Sequence, residues 1–173
     1  MSCTLYLVRH GIAELSSTET HDNDRALTAE GTRKMTRAAI GLKRLGIVPD
    51  VVLSSPLRRA HETAAVLART LSANLSVEIY PGLAPGIAPT ALLQGLRRHR
   101  GAGHVMLVGH QPDLGELASH LLTGSPGVVP LPFKKGAVAA IEVPSLPPRD
   151  TGVLQWFLTP KQLRTLGETR RRR

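Results

Sequence analysis

Cysteine is almost absent from this chain: Cys3 is the only one among 173 residues. A single cysteine forms no internal disulfide and cannot build a cysteine-rich metal site. Aromatic residues make up only 3% of the sequence, so the core must be aliphatic. That shortage also argues against a protein that binds single-stranded nucleic acid, because such proteins stack the bases on aromatic side chains.

Long apolar runs are missing as well. None approaches the ~20 residues that a membrane helix needs. The segment from Met1 to Leu5 lacks the basic region and the long apolar stretch of a secretory signal, so we expect a cytoplasmic protein. Apolar residues at 42% and charged residues at 20% are ordinary for a globular chain, and the length predicts one domain, which we assign to residues 1–165.

Acidic residues are outnumbered by basic ones: 13 Asp and Glu against 22 Lys and Arg give a net charge of +9. Such a surplus fits an anionic partner. Part of it lies in the terminal run Arg170–Arg173, and we predict a basic, disordered tail over residues 166–173. No nucleic-acid-binding motif accompanies this tail, so a nucleic-acid partner is not expected.

Short β-rich apolar runs alternate with segments of helical periodicity. Strands are predicted at residues 4–8, 51–53, 76–80, 105–108, 137–143 and 153–158. Helices are predicted after the N-caps Thr28, Ser55 and Thr90, and near residues 114–122. This alternation predicts an α/β fold, a three-layer α/β/α sandwich with a mainly parallel central sheet. The last two strands could extend that sheet as an antiparallel hairpin.

Residues suited to chemistry occur where three of the predicted strands end. The first strand runs into Arg9–Gly11, the second into Ser54–Arg59, and the fourth into Gly109–Pro112. Ligands of open α/β sheets bind beyond the carboxyl ends of the strands. We therefore expect two histidines and several arginines to converge at one edge of the sheet, although they are far apart in the sequence.

Such a convergence suits phosphoryl transfer. Guanidinium groups match phosphate oxygens with paired hydrogen bonds, and a neutral imidazole between them can attack phosphorus to form a covalent intermediate. Nearby guanidinium charge favours the neutral imidazole. Gly11 would let the backbone turn sharply and approach a ligand, and a second imidazole could donate hydrogen bonds to phosphoryl oxygens in the transition state.

The motifs at these strand ends resemble those of a known family. Leu5–Gly11 resembles the signature of the histidine phosphatase superfamily, which has the phosphoglycerate-mutase-like fold. Ser54–Ala64 is similar to the second motif of that family, Val108–Pro112 to the third, and Arg25–Gly31 to the segment that opens the first helix. The short chain, without a large cap insertion, is most similar to the SixA-type bacterial phosphohistidine phosphatases.

The resemblance implies a role for each matching residue. His10 would be the phosphorylated nucleophile, and Arg9, Arg59 and His110 would form the phosphate pocket. Arg59 matches the family arginine better than Arg58, and the two point about 100° apart on a helix, so only one should face the pocket. Neither a cofactor nor a metal ion is expected.

One feature of the family is missing from its usual place. Its members usually have a carboxylate general acid, often after the third strand, but no acidic residue occurs between Glu78 and Asp113. Cleavage of an unactivated ester without a proton donor is difficult, whereas the imidazole of a phosphohistidine leaves easily. The sequence therefore favours cleavage of an N–P bond. Four acids stay open as candidate donors: Glu14, Asp22, Asp24 and Asp113.

The other reactive residue types have ordinary explanations. Cys3 and Arg9 fit the spacing of cysteine-dependent phosphatases, but the residues between them are strand-like and separate the two by roughly 20 Å. We expect His61 and Glu62 on a solvated or partly packed helix face. The remaining histidines are expected at the surface or at its boundary: His21, His99, His104 and His120.

Three functions stay open at this point. The first is a metal-independent phosphohistidine phosphatase that acts through phospho-His10 and releases inorganic phosphate. Its substrate would be a phosphorylated protein, either a histidine phosphotransfer domain or a phosphotransfer-system carrier. The second is a phosphatase of small phosphate esters, with a phosphomutase as a poorer candidate. The third is a non-catalytic adaptor that binds phosphorylated proteins in the same pocket.

Overall fold

The computed structural model describes residues 2–16 and 21–168. The strands are β1 (Cys3–Arg9), β2 (Val51–Ser54), β3 (Val77–Ile79), β4 (His104–Gly109), β5 (Val138–Val143) and β6 (Val153–Leu158). The α-helices are α1 (Ala29–Arg44), α2 (Arg58–Leu71), α3 (Pro89–Gly95), α4 (Asp113–Thr123) and α5 (Pro160–Gly167). Short 3₁₀ segments lie at Asp22–Asp24, Pro81–Leu83 and Leu96–His99. None of the described helices is long and apolar enough to cross a membrane.

The strands form one sheet in the order β3-β2-β4-β1-β5-β6. The first four strands of this order are parallel, whereas β5 is antiparallel to β1 and β6 is antiparallel to β5. This confirms the prediction of a mainly parallel sheet extended by an antiparallel hairpin. The register of β1 and β4 pairs Arg9 with Gly109, so His10 and His110 leave neighbouring strands at the same level.

Aliphatic side chains cover both faces of the sheet. On one face, residues such as Val8 and Met106 pack against α1, α2 and α5. On the other face, residues such as Leu7 and Leu107 pack against α3 and α4. The three-layer α/β/α sandwich is therefore confirmed. Burial on both faces also explains why the central strands are continuous apolar runs rather than alternating ones.

The predicted helix starts are only partly correct. Thr28 is the N-cap of α1, since its side chain accepts a hydrogen bond from a backbone N–H of the first turn. The predictions of Ser55 and Thr90 as N-caps are wrong, because α2 begins at Arg58 and α3 begins at Pro89. The Ser55 side chain instead contacts His110, which directly follows β4.

Helix α5 is absent from the predicted elements. It begins with a reciprocal capping box between Thr159 and Gln162. The predicted start of the tail at residue 166 is wrong, because Leu166 and Gly167 are helical. Gly167 packs against the backbone of α1 so closely that a Cβ there would lie 2.0 Å from a carbonyl oxygen. The predicted disorder beyond residue 168 lies outside the described residues.

Candidate active site

His10 directly follows β1 and is almost completely buried. Its Nδ1 lies 2.7 Å from the carbonyl oxygen of Gly11. Because a carbonyl oxygen only accepts, Nδ1 carries the ring proton and donates it, and Nε2 keeps its lone pair. The backbone thus selects the tautomer in which Nε2 can act as a nucleophile.

A hydrogen bond from the backbone of Gly11 links the end of β1 to α2. The Gly11 N–H donates to Oγ1 of Thr63 at 3.0 Å, and the Thr63 hydroxyl donates to the carbonyl oxygen of Arg59 at 2.7 Å. A Cβ at position 11 would lie 2.7 Å from Cγ of Met35, so packing favours glycine there. Gly11 does not line the cleft that contains His10. Its backbone orients His10, which differs from the close approach to a ligand that the sequence suggested.

His110 directly follows β4, and its ring centroid lies 5.1 Å from that of His10. Its Nε2 is 2.8 Å from Oγ of Ser55. The Ser55 oxygen already accepts from the N–H of Leu57 at 3.3 Å, so its buried hydroxyl proton is satisfied by donation to Nε2. The ring proton of His110 then belongs on Nδ1, which is buried and has no partner among the described residues. That N–H is the donor of the His110 ring that no acceptor among the described residues satisfies.

Arg59 lies in the first turn of α2 and is only 6% exposed. Its Nη1 donates to the backbone oxygen of Asp22 at 2.6 Å, and its Nη2 donates to Oδ2 of the same residue at 3.0 Å. Arg58 is exposed and pairs instead with Glu62 at 2.8 Å. The structure therefore agrees with the choice of Arg59 rather than Arg58 as the arginine that faces the site.

Arg9 is held by the loop that precedes β5. Its Nη1 donates to the carbonyl oxygen of Phe133 at 2.6 Å. Its backbone N–H donates to Ala137 and its backbone oxygen accepts from Gly136, both at 3.1 Å. Its Nε is buried without a partner among the described residues. Arg9 forms no ion pair with a carboxylate among the described residues and lines the cleft, so its positive charge favours an anion there.

These side chains line one open cleft of about 570 Å³ at the carboxyl edge of the parallel strands. The structure thus brings together the two histidines and two arginines that the sequence singled out: Arg9, His10, Arg59 and His110. The cleft is completed by Asp22, Arg25, Pro85, Gly86, Gln111, Pro112, Asp113 and Lys135. Of the four candidate proton donors, Asp22 and Asp113 line the cleft, whereas Glu14 and Asp24 do not.

Burial keeps both imidazoles neutral at neutral pH. Burial is the main cause that lowers the pKa of His10 to about 3, and nearby positive charge adds to it. Burial, followed by the charge of Arg59, lowers the pKa of His110 to about 4. The carboxyl of Asp22 has a lowered pKa because Arg25 and then Arg59 donate hydrogen bonds to it. The cleft therefore combines neutral imidazoles with an ionised carboxylate and guanidinium groups.

The other reactive residue types lie outside the cleft. Cys3 begins β1 at the opposite edge of the sheet, and burial raises its pKa to about 11, so it stays a thiol and is unsuited as a nucleophile. Glu62 is a structural residue, because it accepts a hydrogen bond from the N–H of Leu27 at 2.7 Å. The cleft lining does not include the remaining histidines: His21, His61, His99, His104 and His120.

Several residues in or beside the site are not among those that the sequence predicts, and they include Arg25, Ser55, Thr63 and Lys135. Arg25, Ser55 and Thr63 lie in segments that resemble family motifs, and this resemblance is the sequence signal that points to them. Lys135 lies in a loop after Phe133, where only the folded chain brings it to the cleft.

Comparisons with known proteins identify the family of this chain. Residues 5–84 match the sequence model of the histidine phosphatase superfamily (branch 1). An uncharacterised protein of Picosynechococcus sp. (strain PCC 7002) is 40% identical over 125 residues, which make up 71% of this chain and 75% of that protein.

Solved structures resemble this chain over nearly its whole length. The protein histidine phosphatase SixA, complexed with tungstate, has a TM-score of 0.80 and 27% identity, over 92% of this chain and 99% of that one. Phosphoglycerate mutase from Bacillus anthracis str. Sterne has a TM-score of 0.69 and 16% identity, over 96% of this chain and 97% of that one. The second likeness confirms the phosphoglycerate-mutase-like fold. The chain belongs to the histidine phosphatase superfamily, is similar in structure to SixA, and is a phosphohydrolase.

Proposed function

We propose that this phosphohydrolase removes the phosphoryl group from a phosphohistidine of another protein, through a covalent phospho-His10 intermediate and without a metal ion. One observation carries the proposal. In a cleft lined by Arg9 and Arg59, the carbonyl of Gly11 holds the Nδ1 proton of His10 and leaves Nε2 free to attack. A neutral, oriented imidazole beside two guanidinium groups is what nucleophilic attack on a phosphoryl group requires.

In the first step, the Nε2 lone pair of His10 attacks the phosphorus atom. A new Nε2–P bond forms, and the bond between phosphorus and the substrate imidazole breaks. A substrate ring that is protonated beforehand leaves as neutral imidazole, so this step needs no proton donor in the cleft. The Nδ1–H of His10 still donates to the Gly11 carbonyl, which stabilises the positive charge that develops on the phosphorylated ring.

In the second step, a water molecule attacks phospho-His10 from the side that the substrate imidazole has left. The water oxygen bonds to phosphorus, and the electron pair of the Nε2–P bond returns to His10. The protons of the water stay with the released inorganic phosphate. His10 returns to its neutral form, because its pKa lies far below neutral pH.

Arg9, Arg59 and His110 supply the stabilising groups in both steps. Negative charge spreads over the three oxygens of the transferring phosphoryl group. Donors that are fixed in a buried site before the reaction stabilise such charge without reorganising. The guanidinium group of Arg59 is paired with Asp22, and an arriving phosphoryl group takes over this position.

One of the two carboxylates of the cleft is unsuited as the proton donor that cleavage of an ester needs. Asp22 is ionised at neutral pH, since its pKa is lowered, and an ionised carboxylate cannot protonate a leaving group. Asp113 remains, and its Oδ1 accepts a hydrogen bond from the N–H of Gly86 at 3.0 Å. An alkoxide leaving group depends on a proton donor, whereas a protonated phosphohistidine does not.

A phosphorylated protein fits an open cleft of this kind. We infer that the substrates are histidine phosphotransfer domains of kinase relays or carriers of phosphotransfer systems. The similarity to a protein histidine phosphatase supports this class of substrate. We also infer that the enzyme works in the cytoplasm, where such relays exchange phosphoryl groups.

The test is a substrate panel with two variants. A histidine peptide phosphorylated chemically with ³²P, phosphoramidate and glucose 6-phosphate are offered to the wild type, to His10→Ala and to Cys3→Ala. We expect fast turnover of the two N–P substrates, with and without EDTA, and label on the protein after an alkaline quench. His10→Ala should lose both turnover and label, and Cys3→Ala should keep both.

Two outcomes would overturn the proposal. Faster hydrolysis of glucose 6-phosphate than of the phosphohistidine peptide would make the enzyme a phosphatase of small esters. Tight binding of the phosphopeptide without turnover or label would make the protein an adaptor.

A further inference from the structure

A second cavity of about 190 Å³ opens beside the catalytic cleft, and Lys135 lines both. We call it the basic shelf, and its main residues are Lys34, Met35, Ala38, Lys135, Pro160 and Arg164. The cavity has an apolar floor and a cationic rim, and none of its lining residues is acidic. The proposed reaction uses none of these side chains.

The charges of the shelf are only partly compensated. Lys34 pairs with Glu30, one helical turn away, at 2.6 Å. Lys135 and Arg164 form no ion pair within 4.0 Å among the residues that the structure describes. Glu30, which already pairs with Lys34, interacts with the charge of Arg164 from a greater distance. The shelf therefore keeps a positive surplus directly beside the site where a phosphorylated group would bind.

The shelf is fixed by packing of the chain against α1, and one of its contacts also holds Arg9. Lys135 precedes Gly136, whose N–H donates to the backbone oxygen of Arg9 at 3.1 Å. Gly136 is pressed against α1, since a Cβ there would lie 2.9 Å from Sδ of Met35. Arg164 lies on α5, which crosses α1 closely enough that a Cβ on Gly41 would lie 2.1 Å from a carbonyl oxygen of α5.

We propose that the basic shelf binds a carboxylate side chain of the phosphoprotein, so that the enzyme selects phosphohistidines that have acidic residues nearby. This inference rests on the proposed function and adds a specificity site to it. A carboxylate matches the cations of the rim. Its aliphatic stem matches the floor formed by Met35, Ala38 and Pro160. The cavity of about 190 Å³ equals about six water molecules at about 30 Å³ each. This is space for one such side chain.

The experiment uses two phosphohistidine peptides that differ only in their flanking residues, glutamate in one and glutamine in the other. We expect the acidic peptide to have a KM lower by roughly threefold at low salt, since a partly exposed charge pair contributes modestly, and the difference should shrink as salt rises. Arg164→Gln should remove most of this preference, and Arg164→Lys should restore it. The kcat should change little in either variant.

Two controls separate the shelf from other effects. Arg100→Gln removes the same charge at the opposite edge of the sheet, ahead of β4, and should keep the preference for the acidic peptide. Phosphoramidate is too small to reach the shelf from the cleft, so its KM should be the same in Arg164→Gln and Arg100→Gln.

The outcomes also separate this inference from the proposed function. If Arg164→Gln hydrolyses both peptides with the same KM ratio as the wild type, the shelf is not a specificity site, although the enzyme remains a phosphohistidine phosphatase. A different ligand for the shelf would be a second phosphate of a small ester. In that case the wild type should prefer 1,6-hexanediol bisphosphate over hexyl phosphate. Arg164→Gln should then abolish this preference and leave the peptide preference unchanged, which would overturn the inference. If neither peptide is hydrolysed, the proposed function itself fails.

Discussion

Asp22 occupies the guanidinium fork of Arg59, with its backbone oxygen 2.6 Å from Nη1 and its carboxylate Oδ2 3.0 Å from Nη2. It thus occupies the position where we propose that a phosphoryl oxygen binds. Asp22 is itself about half exposed and also pairs with Arg25 at 2.7 Å. The pair is therefore open to exchange with a ligand, and its strength sets how easily an anion enters the cleft.

Replacing Asp22 by asparagine should strengthen the binding of inorganic phosphate. The substitution removes a negative charge that competes for Arg59, and for a partly exposed pair the effect is about threefold in the inhibition constant. Asp24→Asn is the matched control, since Asp24 carries the same charge on the same segment but does not line the cleft. Equal inhibition constants in wild type and Asp22→Asn would show that the pair does not compete with the ligand.

Replacing Ser55 by alanine should impair catalysis by releasing His110. The ring then loses the hydroxyl that fixes its tautomer, and a buried nitrogen is left without a partner, at a cost of about 1–3 kcal/mol. We expect kcat to fall about tenfold, which corresponds to the loss of about 1.4 kcal/mol of transition-state stabilisation by a correctly oriented His110 ring. Long-range ¹H–¹⁵N spectra should show the proton of His110 on Nδ1 in the wild type and a mixture in Ser55→Ala.

Ser54→Ala is the control for that variant. Ser54 is equally buried, but its hydroxyl donates to the backbone oxygen of Ser55 at 2.9 Å and does not contact His110. Its ¹⁵N spectrum should match the wild type. A wild-type spectrum with the His110 proton on Nε2 would contradict the tautomer that the Ser55 contact selects.

Acidification should destabilise the fold through His10 and His110. Their pKa values are lowered to about 3 and about 4 by burial and nearby positive charge, whereas both titrate near 6.5 in the unfolded chain. Between these values the unfolded state binds more protons. The free energy of unfolding should therefore fall as pH drops from 6.5 towards 4, by about 1.4 kcal/mol per pH unit for each ring. Urea unfolding at pH 7, 6 and 5 measures this slope, and it should be shallower in His110→Gln. An unchanged slope in His110→Gln would mean that the ring of His110 binds protons equally in the folded and unfolded states.

Much of this architecture could be predicted because its cause is local. Buried parallel strands need continuous apolar runs, and residues 105–108 satisfy that need without help from the rest of the chain. Helix α5 could not be predicted, because only Leu163 and Gly167 of its eight residues are buried. Two positions do not establish a helical period, and the helix depends on a close crossing with α1.

The functional site could also be predicted only in part. His10 and His110 could be predicted as neighbours because they follow parallel strands, whose carboxyl ends meet at one edge of a sheet. The pairing of Asp22 with Arg59 could not be predicted, because it depends on how a loop folds back onto α2. The contact of Ser55 with His110 was missed for a related reason: a serine before a helix is ordinarily an N-cap, and only the folded chain shows a competing partner.

Replacing Gly41 by alanine should separate α5 from α1. The new Cβ would lie 2.1 Å from the carbonyl oxygen of Leu163, and overpacking of this kind costs about 1–3 kcal/mol. Gly101→Ala is the control, because nothing lies within 4 Å of a Cβ at that position. Urea unfolding should show the loss in Gly41→Ala only. Because Arg164 moves with α5, the KM for the acidic phosphohistidine peptide should rise in Gly41→Ala as well.

Replacing Asp113 by asparagine tests whether the reaction needs a proton donor from the cleft. Asparagine keeps an oxygen that can accept the hydrogen bond from Gly86, so the loop between the two should stay in place. A general acid contributes about 10²–10⁴-fold to a rate that depends on it. We expect the kcat for the phosphohistidine peptide to change by less than about twofold, because its protonated imidazole leaves unaided. The slow hydrolysis of an alkyl phosphate serves as the reference, and it should fall if Asp113 is the donor for esters. A hundredfold loss on the phosphohistidine peptide would instead make Asp113 part of the N–P reaction, and the imidazole would then not be a leaving group that departs unaided.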